Sequence, residues 1–357
     1  MSNYNGPLHE MAQTTITEYW NDSCSIPELT YALERGAVGA TTNPVIVKNV
    51  LQNEFATYEG RIHELIKEMP YATEDDIAWK MNEEMAIAGA KLLEPIFNET
   101  KGQKGRISIQ TNTKFWRDPE RLAEQGIYFN TLAPNMQIKM PATAAGIKAF
   151  EEVTYQGVSI NATVSFTVPQ ALAVAEAVER GLKRREAEGL DTSEKHPVCT
   201  IMVGRLDDWL KTVVDRDHII VNPECLEWAG VAAFKHAYKI YKEKGYRTQL
   251  LAAAYRNHYQ WSEFIGGDVS ETIPYKWQKR FNNSTVTVEN RMDIPVEDKY
   301  LSELKAKLPD FNRAYEADGL SHEEFETFGA TARTLLQFSQ GYDELITIIR
   351  GCMIKVK

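Results

Sequence analysis

Eight times along this chain a short apolar run is followed by text with a helical period, and no other feature limits the fold as tightly. The runs lie at 14–20, 38–42, 106–112, 136–140, 159–165, 198–203, 248–255 and 268–273. After the first, Ser25-Ile26-Pro27-Glu28 reads as a capping box with proline just inside a helix that continues to Gly36. Asn43-Pro44 closes the second run and opens long helical patterns from 45 to about 94. Asp118-Pro119 and Thr167-Val168-Pro169-Gln170 open two more helices with the same chemistry. The segment 143–156 sets Ile147, Phe150 and Val153 on one helical face. Helical text runs from 206 to about 244, and a short helix is expected after Arg256.

Strand followed by helix, eight times over, predicts an α/β protein whose parallel sheet closes into a (β/α)8 TIM barrel. The barrel should occupy about 14–273. A C-terminal helical extension should fill about 274–357 and include a helix opening at Ser321. A doubly wound open sheet is the alternative, but it usually carries a glycine-rich phosphate loop after its first strand, and none is visible here. No Gly/Ser- or Pro-rich linker divides the 357 residues, so a single domain is expected.

Composition narrows the partners. Fifty acidic residues against 40 Lys and Arg leave a net charge of −10. No basic stripe is present to replace phosphate counterions, so nucleic acid is not an expected partner. The run at 179–188 (ERGLKRREAE) reads as a solvated helical face. No stretch approaches the ~18 apolar residues of a membrane span, and the first residues lack the basic-then-apolar signal pattern. Cys24, Cys199, Cys225 and Cys352 show no CxxC spacing, which predicts a reduced, cytoplasmic protein with no membrane partner. The seven histidines show no HxH or HExxH spacing, so no metal site is expected. An anionic substrate would therefore have to find a local positive site.

In such a barrel the C-terminal ends of the strands converge on one face, where the chemistry is built. Asp22, Asn43, Gln110, Lys139, Asn161, Thr163, Thr200, Met202, Arg205 and Arg256 all fall at those ends. Lys139 is the most informative. Ile138 and Met140 flank it in a strand expected to be buried. A free lysine, with a pKa of ~10.4, is a neutral amine in only about one copy in a few thousand at pH 7. Apolar surroundings lower that pKa and make a nucleophile able to attack a carbonyl. The alternative is a strand-end lysine in an ion pair or snorkelling to water. Schiff-base chemistry also needs a base near the substrate hydroxyls and a held water, for which Asp22, Gln110 and Thr163 are candidates. Asp22 can instead belong to a helix N-cap region, and the other two can be plain strand polarity.

The blocks GATTNPVIV (39–47), QIKMPATAAGIKAFEE (137–152), SINATVSFTVPQALAVAEA (159–177), MVGRLDDW (202–209) and TQLLAAAYRN (248–257) resemble transaldolase, in that family's order and at about its spacing. The resemblance covers most of the chain, from about 14 to 273. It implies a cofactor-independent class I transferase of the pentose phosphate pathway. Such an enzyme moves a dihydroxyacetone unit from a ketose phosphate (sedoheptulose 7-phosphate or fructose 6-phosphate) to an aldose phosphate (glyceraldehyde 3-phosphate or erythrose 4-phosphate).

Residue by residue, the resemblance makes Lys139 the Schiff-base lysine and Asp22, on a looser local match, the general acid/base. Asn43 would hold the dihydroxyacetone hydroxyls with Asn161 beside it. Thr163 is the strand-five threonine, Thr200 stands for a strand-six serine, and Arg205 and Arg256 are the phosphate-binding arginines. Three positions depart from the pattern: Gln110 replaces a glutamate, Met202 a phenylalanine, and Ala254 a phosphate-loop serine. Gln110 is shared with the fructose-6-phosphate aldolase branch, so an aldolase of that type, or a relative acting on a non-standard sugar, is the alternative. A non-catalytic barrel is a third reading. Small sugar phosphates are the implied partners, and a homodimer is one open option for assembly.

Overall fold

Side-chain caps and first-turn prolines decide where the barrel helices begin, and short buried strands lie between them. The computed structural model describes residues 4–193 and 196–354. Helix α1 (Pro7–Thr14) precedes strand β1 (Glu18–Asn21), which leads to α2 (Ile26–Leu33). Strand β2 (Gly39–Thr41) is followed by α3 (Pro44–Asn53), α4 (Phe55–Glu68) and α5 (Glu74–Glu99), and β3 (Arg106–Gln110) by α6 (Pro119–Phe129). Then come β4 (Met136–Pro141), α7 (Ala144–Tyr155), β5 (Ile160–Ser165) and α8 (Val168–Ala187). Strand β6 (Val198–Ile201) leads to α9 (Val203–Arg216) and α10 (Pro223–Lys244). Strand β7 (Gln249–Ala252) leads to α11 (Tyr259–Ser262), and β8 (Ser270–Ile273) completes the sheet. Four helices follow: α12 (Tyr275–Asn282), α13 (Asp298–Lys307), α14 (Pro309–Tyr315) and α15 (Gly329–Met353).

Each strand pairs in parallel with the next, and β8 pairs with β1, so the sheet is a closed eight-stranded barrel. Strand residues alternate between two sides of this wall. Ile107, Ile109, Ile138, Met140, Ile160 and Ala162 pack outward into the cluster shared with the helices. Inside, Trp20 groups with Val198, Leu251 and Ala253. Gly39 is required here, because a Cβ would lie 2.5 Å from the Trp20 ring. A polar layer fills the interior beside it. Ser108 Oγ donates to Gln137 at 3.0 Å, and Asn161 Nδ2 donates to Ser108 Oγ at 2.9 Å. Lys139 lies two residues beyond Gln137 on the same strand, nearer the open end.

The predicted barrel and C-terminal helices are therefore present, with shifted boundaries; residues 355–357 of the expected extension lie outside the described residues. The first run splits: Thr14 ends α1, Ile16 is 64% exposed, and β1 starts only at Glu18. Pro7 starts the extra helix, which buries Leu8 and Met11. The text from 45 to 94 is three helices, and the last passes through Pro95 to Glu99. The text from 206 to 244 is two helices, the first opening at Val203. Ser321 does form a capping box, but it caps only a single 3-10 turn at His322–Glu324. The long terminal helix begins at Gly329 instead.

Candidate active site

Lys139 is 3% exposed between Ile138 and Met140 on β4, and among the described residues it forms no ion pair. Its Nζ donates to the Thr42 backbone carbonyl at 3.2 Å. Burial pulls its pKa down from 10.5 to about 8. The nearby Asp22 charge opposes that shift and the Arg205 charge adds to it. The ladder places Gln110 of β3 and Asn161 of β5 in register with Lys139 on either side.

Asp22 follows β1 at the open end of the barrel. Thr41 Oγ1 donates to its carboxylate at 2.7 Å and is itself 2.6 Å from the Thr272 hydroxyl. Burial raises the Asp22 pKa, while Lys139, the Thr41 hydrogen bond and Arg205 all pull it back. It does not cap α2; Ser25 does, accepting from the Glu28 N–H. The Asn43 side-chain oxygen accepts from the Ile46 N–H at 3.0 Å and starts α3, which leaves its amide nitrogen for the pocket.

Three polar side chains lie against this group without lining its opening. Gln110 is 4% exposed, and its buried Oε1 has no hydrogen-bond partner among the described residues. The Thr163 hydroxyl meets the Met202 sulfur at 4.0 Å. Asn161 is engaged at both ends of its amide, donating to Ser108 and accepting from Thr200 Oγ1 at 2.7 Å. Beside Thr163, Val164 sits at φ +53° where the β5–β6 register shifts. A β-branched residue rarely adopts that conformation, and such strain collects at functional sites.

The two arginines differ in how they are held. Arg205, on the first turn of α9, donates to Thr334 Oγ1 at 3.2 Å and Gln337 Oε1 at 2.5 Å, both on α15. Its guanidinium lies 5.4 Å from the Phe338 ring, and among the described residues its buried Nε has no hydrogen-bond partner. Burial and the Arg256 charge lower its pKa to about 10, with Asp208 and Asp22 acting the other way. Arg256 is gripped by Asp208, Nε at 3.0 Å and Nη2 at 2.7 Å from Oδ2. Its Nη1 donates to the Ala254 and Tyr255 carbonyls. Ala254 takes φ +67°, and its carbonyl leaves no room for a Cβ on Gly204, which would lie 2.0 Å away.

Asp22, Asn43, Lys139, Thr200, Met202, Arg205 and Arg256 thus line one pocket of about 160 Å³ at the open end of the barrel. A larger pocket, about 730 Å³, lies on the flank around Lys235, Ile294 and Tyr315 and contains none of these residues. Sequence reasoning missed Thr42, whose carbonyl holds Lys139, and Asp208, whose position in MVGRLDDW was visible. It also missed Thr334, Gln337 and Phe338, for which no local signal exists. The segment 275–308 contributes no lining residue to the pocket; α15 reaches the site instead. Among the described residues, no helix is long and apolar enough to cross a membrane.

A sequence model of the family described as Transaldolase/Fructose-6-phosphate aldolase matches residues 19–338. Among curated proteins, the chain is 28% identical over 257 residues to a transaldolase from Thermobifida fusca, covering 66% of each chain. It is 29% identical over 267 residues to one from Acidothermus cellulolyticus, covering 69% of this chain and 68% of the relative. With a transaldolase from Mycobacterium tuberculosis it shares 31% over 214 residues, covering 58% of this chain and 56% of the relative. The chain therefore spans about two thirds or less of the length of most of these relatives.

Proposed function

The chain belongs to the transaldolase/fructose-6-phosphate aldolase family, and on that premise we propose that it is a transaldolase working through a Schiff base on Lys139. The observation that carries this reading is a buried lysine, its pKa drawn down to about 8, in one pocket with a carboxylate and two arginines. The neutral amine adds to the ketose carbonyl, and the carbinolamine loses water to give an iminium ion. Asp22 takes the C4 hydroxyl proton as the C3–C4 bond breaks. The bonding electrons pass to the iminium as an enamine, and the shortened aldose leaves. The enamine then attacks the acceptor aldehyde, Asp22 returns the proton to the new hydroxyl, and water frees Lys139. The protonated imine is itself the electron sink, so the chemistry requires no cofactor.

Gln110 and Thr163 are the proposed holders of the water used in imine formation, and Asn43, Asn161 and Thr200 of the dihydroxyacetone hydroxyls. Met202 walls the pocket, and Arg205 and Arg256 address the phosphate. Donor and acceptor are the sugar phosphates of the pentose phosphate pathway, in the cytoplasm, and a homodimer is the assembly this reading admits.

Gln110 favours one second reading, an aldolase that releases free dihydroxyacetone, because the fructose-6-phosphate aldolase branch that the sequence resembles at this position carries glutamine there. Product analysis with fructose 6-phosphate, with and without erythrose 4-phosphate, separates the two. Strict dependence on the acceptor supports the transaldolase; free dihydroxyacetone without acceptor supports the aldolase.

A further inference from the structure

Arg205 and Arg256 line two pockets at once. Besides the catalytic one, they border a chamber of about 470 Å³ between α9 and α15. Helix α9 brings Asp208 to it, and α15 brings Arg333, Thr334, Gln337 and Gln340. At about 160 Å³ the catalytic pocket is smaller than the ~300–1,000 Å³ usual for small-ligand sites. The two pockets share Arg205 and Arg256, so a sugar phosphate joined to Lys139 can place its phosphoryl end in the larger one.

The charges there are three guanidinium groups and one carboxylate, a surplus of two positive charges. That matches a phosphate monoester, which carries about −1.5 to −2 near pH 7. The nitrogens are unequally free. Every guanidinium nitrogen of Arg256 already has a partner, and two of the three meet Asp208. Arg205 is committed to α15 through Nη1. Arg333 is exposed, and its Nη1 donates to Thr212 Oγ1 on α9 at 2.5 Å. Among the described residues its other two nitrogens form no hydrogen bond and stand open to a ligand. Thr212 in turn donates to the Asp208 carbonyl at 2.9 Å, so Arg333 is steadied across the chamber from the Asp208 turn.

We propose that Arg333, supplied by the C-terminal helix, is an additional specificity-determining contact at the phosphate end that Arg205 and Arg256 mark, and that Asp208 competes with the phosphoryl group for Arg256. The inference rests on the sugar-phosphate reading above, but the chamber's affinity for an anion is measurable without turnover.

The test is calorimetric titration of the intact protein with inorganic phosphate, together with steady-state kinetics on fructose 6-phosphate. With a charge-assisted hydrogen bond to the phosphoryl oxygens lost, Arg333→Gln should weaken phosphate binding roughly tenfold or more. It should raise KM by a similar factor, with a much smaller change in kcat, and Arg333→Lys should recover part of both. Asp208→Asn, by freeing Arg256, should tighten phosphate binding severalfold. Phosphate affinity within twofold of wild type in Arg333→Gln overturns the proposal. Absence of transaldolase turnover in the wild type, with phosphate binding still lost in Arg333→Gln, overturns the functional reading and leaves the anion site standing.

Discussion

Lys139 and Asp22 line the same pocket yet form no ion pair: the ammonium group donates to the Thr42 carbonyl, and the carboxylate accepts from Thr41. Each charge reaches the other through space, stabilising both without a direct contact that would occupy them. A carbonyl carbon held by the amine and a hydroxyl held by the acid can then belong to one substrate.

The first consequence is a pH dependence. With a pKa near 8, about half of Lys139 is neutral at pH 8, whereas an ordinary lysine is almost fully charged there. The rate of reductive trapping with fructose 6-phosphate should therefore rise through a single step centred near pH 8 and level off above it. Initial trapping rates across pH 6–10 check this, and a rise continuing past pH 10 would show an unperturbed lysine.

A second consequence concerns stability. The folded-state pKa of Lys139 lies below its ordinary value of 10.5, so between about pH 8 and 10.5 the unfolded chain binds more protons. Stability should climb across that window and be lowest, as far as Lys139 contributes, below pH 8, where a charged ammonium is buried. Lys139→Met should remove this slope and stabilise the protein at pH 7 by roughly 1–3 kcal/mol. Chemical denaturation at pH 7 and pH 10 reads both effects.

Asp22→Asn should separate bond cleavage from imine formation. Asparagine cannot take the C4 hydroxyl proton, so kcat should fall by roughly 10²–10⁴. Trapping on Lys139 should persist. Because the Asp22 charge holds the lysine pKa up, its loss should move the trapping midpoint below 8. Parallel turnover and trapping assays decide it: equal loss of both would place Asp22 in imine formation instead.

Gly204→Ala should damage the phosphate end of the site. Its Cβ would press on the Ala254 carbonyl, which accepts from Arg256. Overpacking of this kind costs about 1–3 kcal/mol, and KM for a phosphorylated substrate should rise with it. An unchanged KM and an unchanged unfolding midpoint would count against the close approach.

The barrel was readable because its signals are local: Ser25, Asn43, Asp118 and Thr167 cap their helices from adjacent sequence. Lys139 was readable for the same reason, as one cation between Ile138 and Met140. Strand ends were less exact. Residues 14–17 and 253–255 continue the apolar pattern but lie outside the parallel ladder. The arginine environment could not be read. Arg205 meets Thr334 and Gln337 across more than 120 residues of chain, and only closure of the barrel brings α15 to that edge. Asp208 was in plain view, but its grip on Arg256 depends on how α9 and the β7 loop come together.

The most direct test of the central claim is borohydride reduction in the presence of fructose 6-phosphate, followed by peptide mass analysis. The account predicts one dihydroxyacetone-sized addition, on the peptide carrying Lys139 and absent from Lys139→Ala. Equal labelling of Lys139→Ala, or an addition on a different lysine, would contradict it.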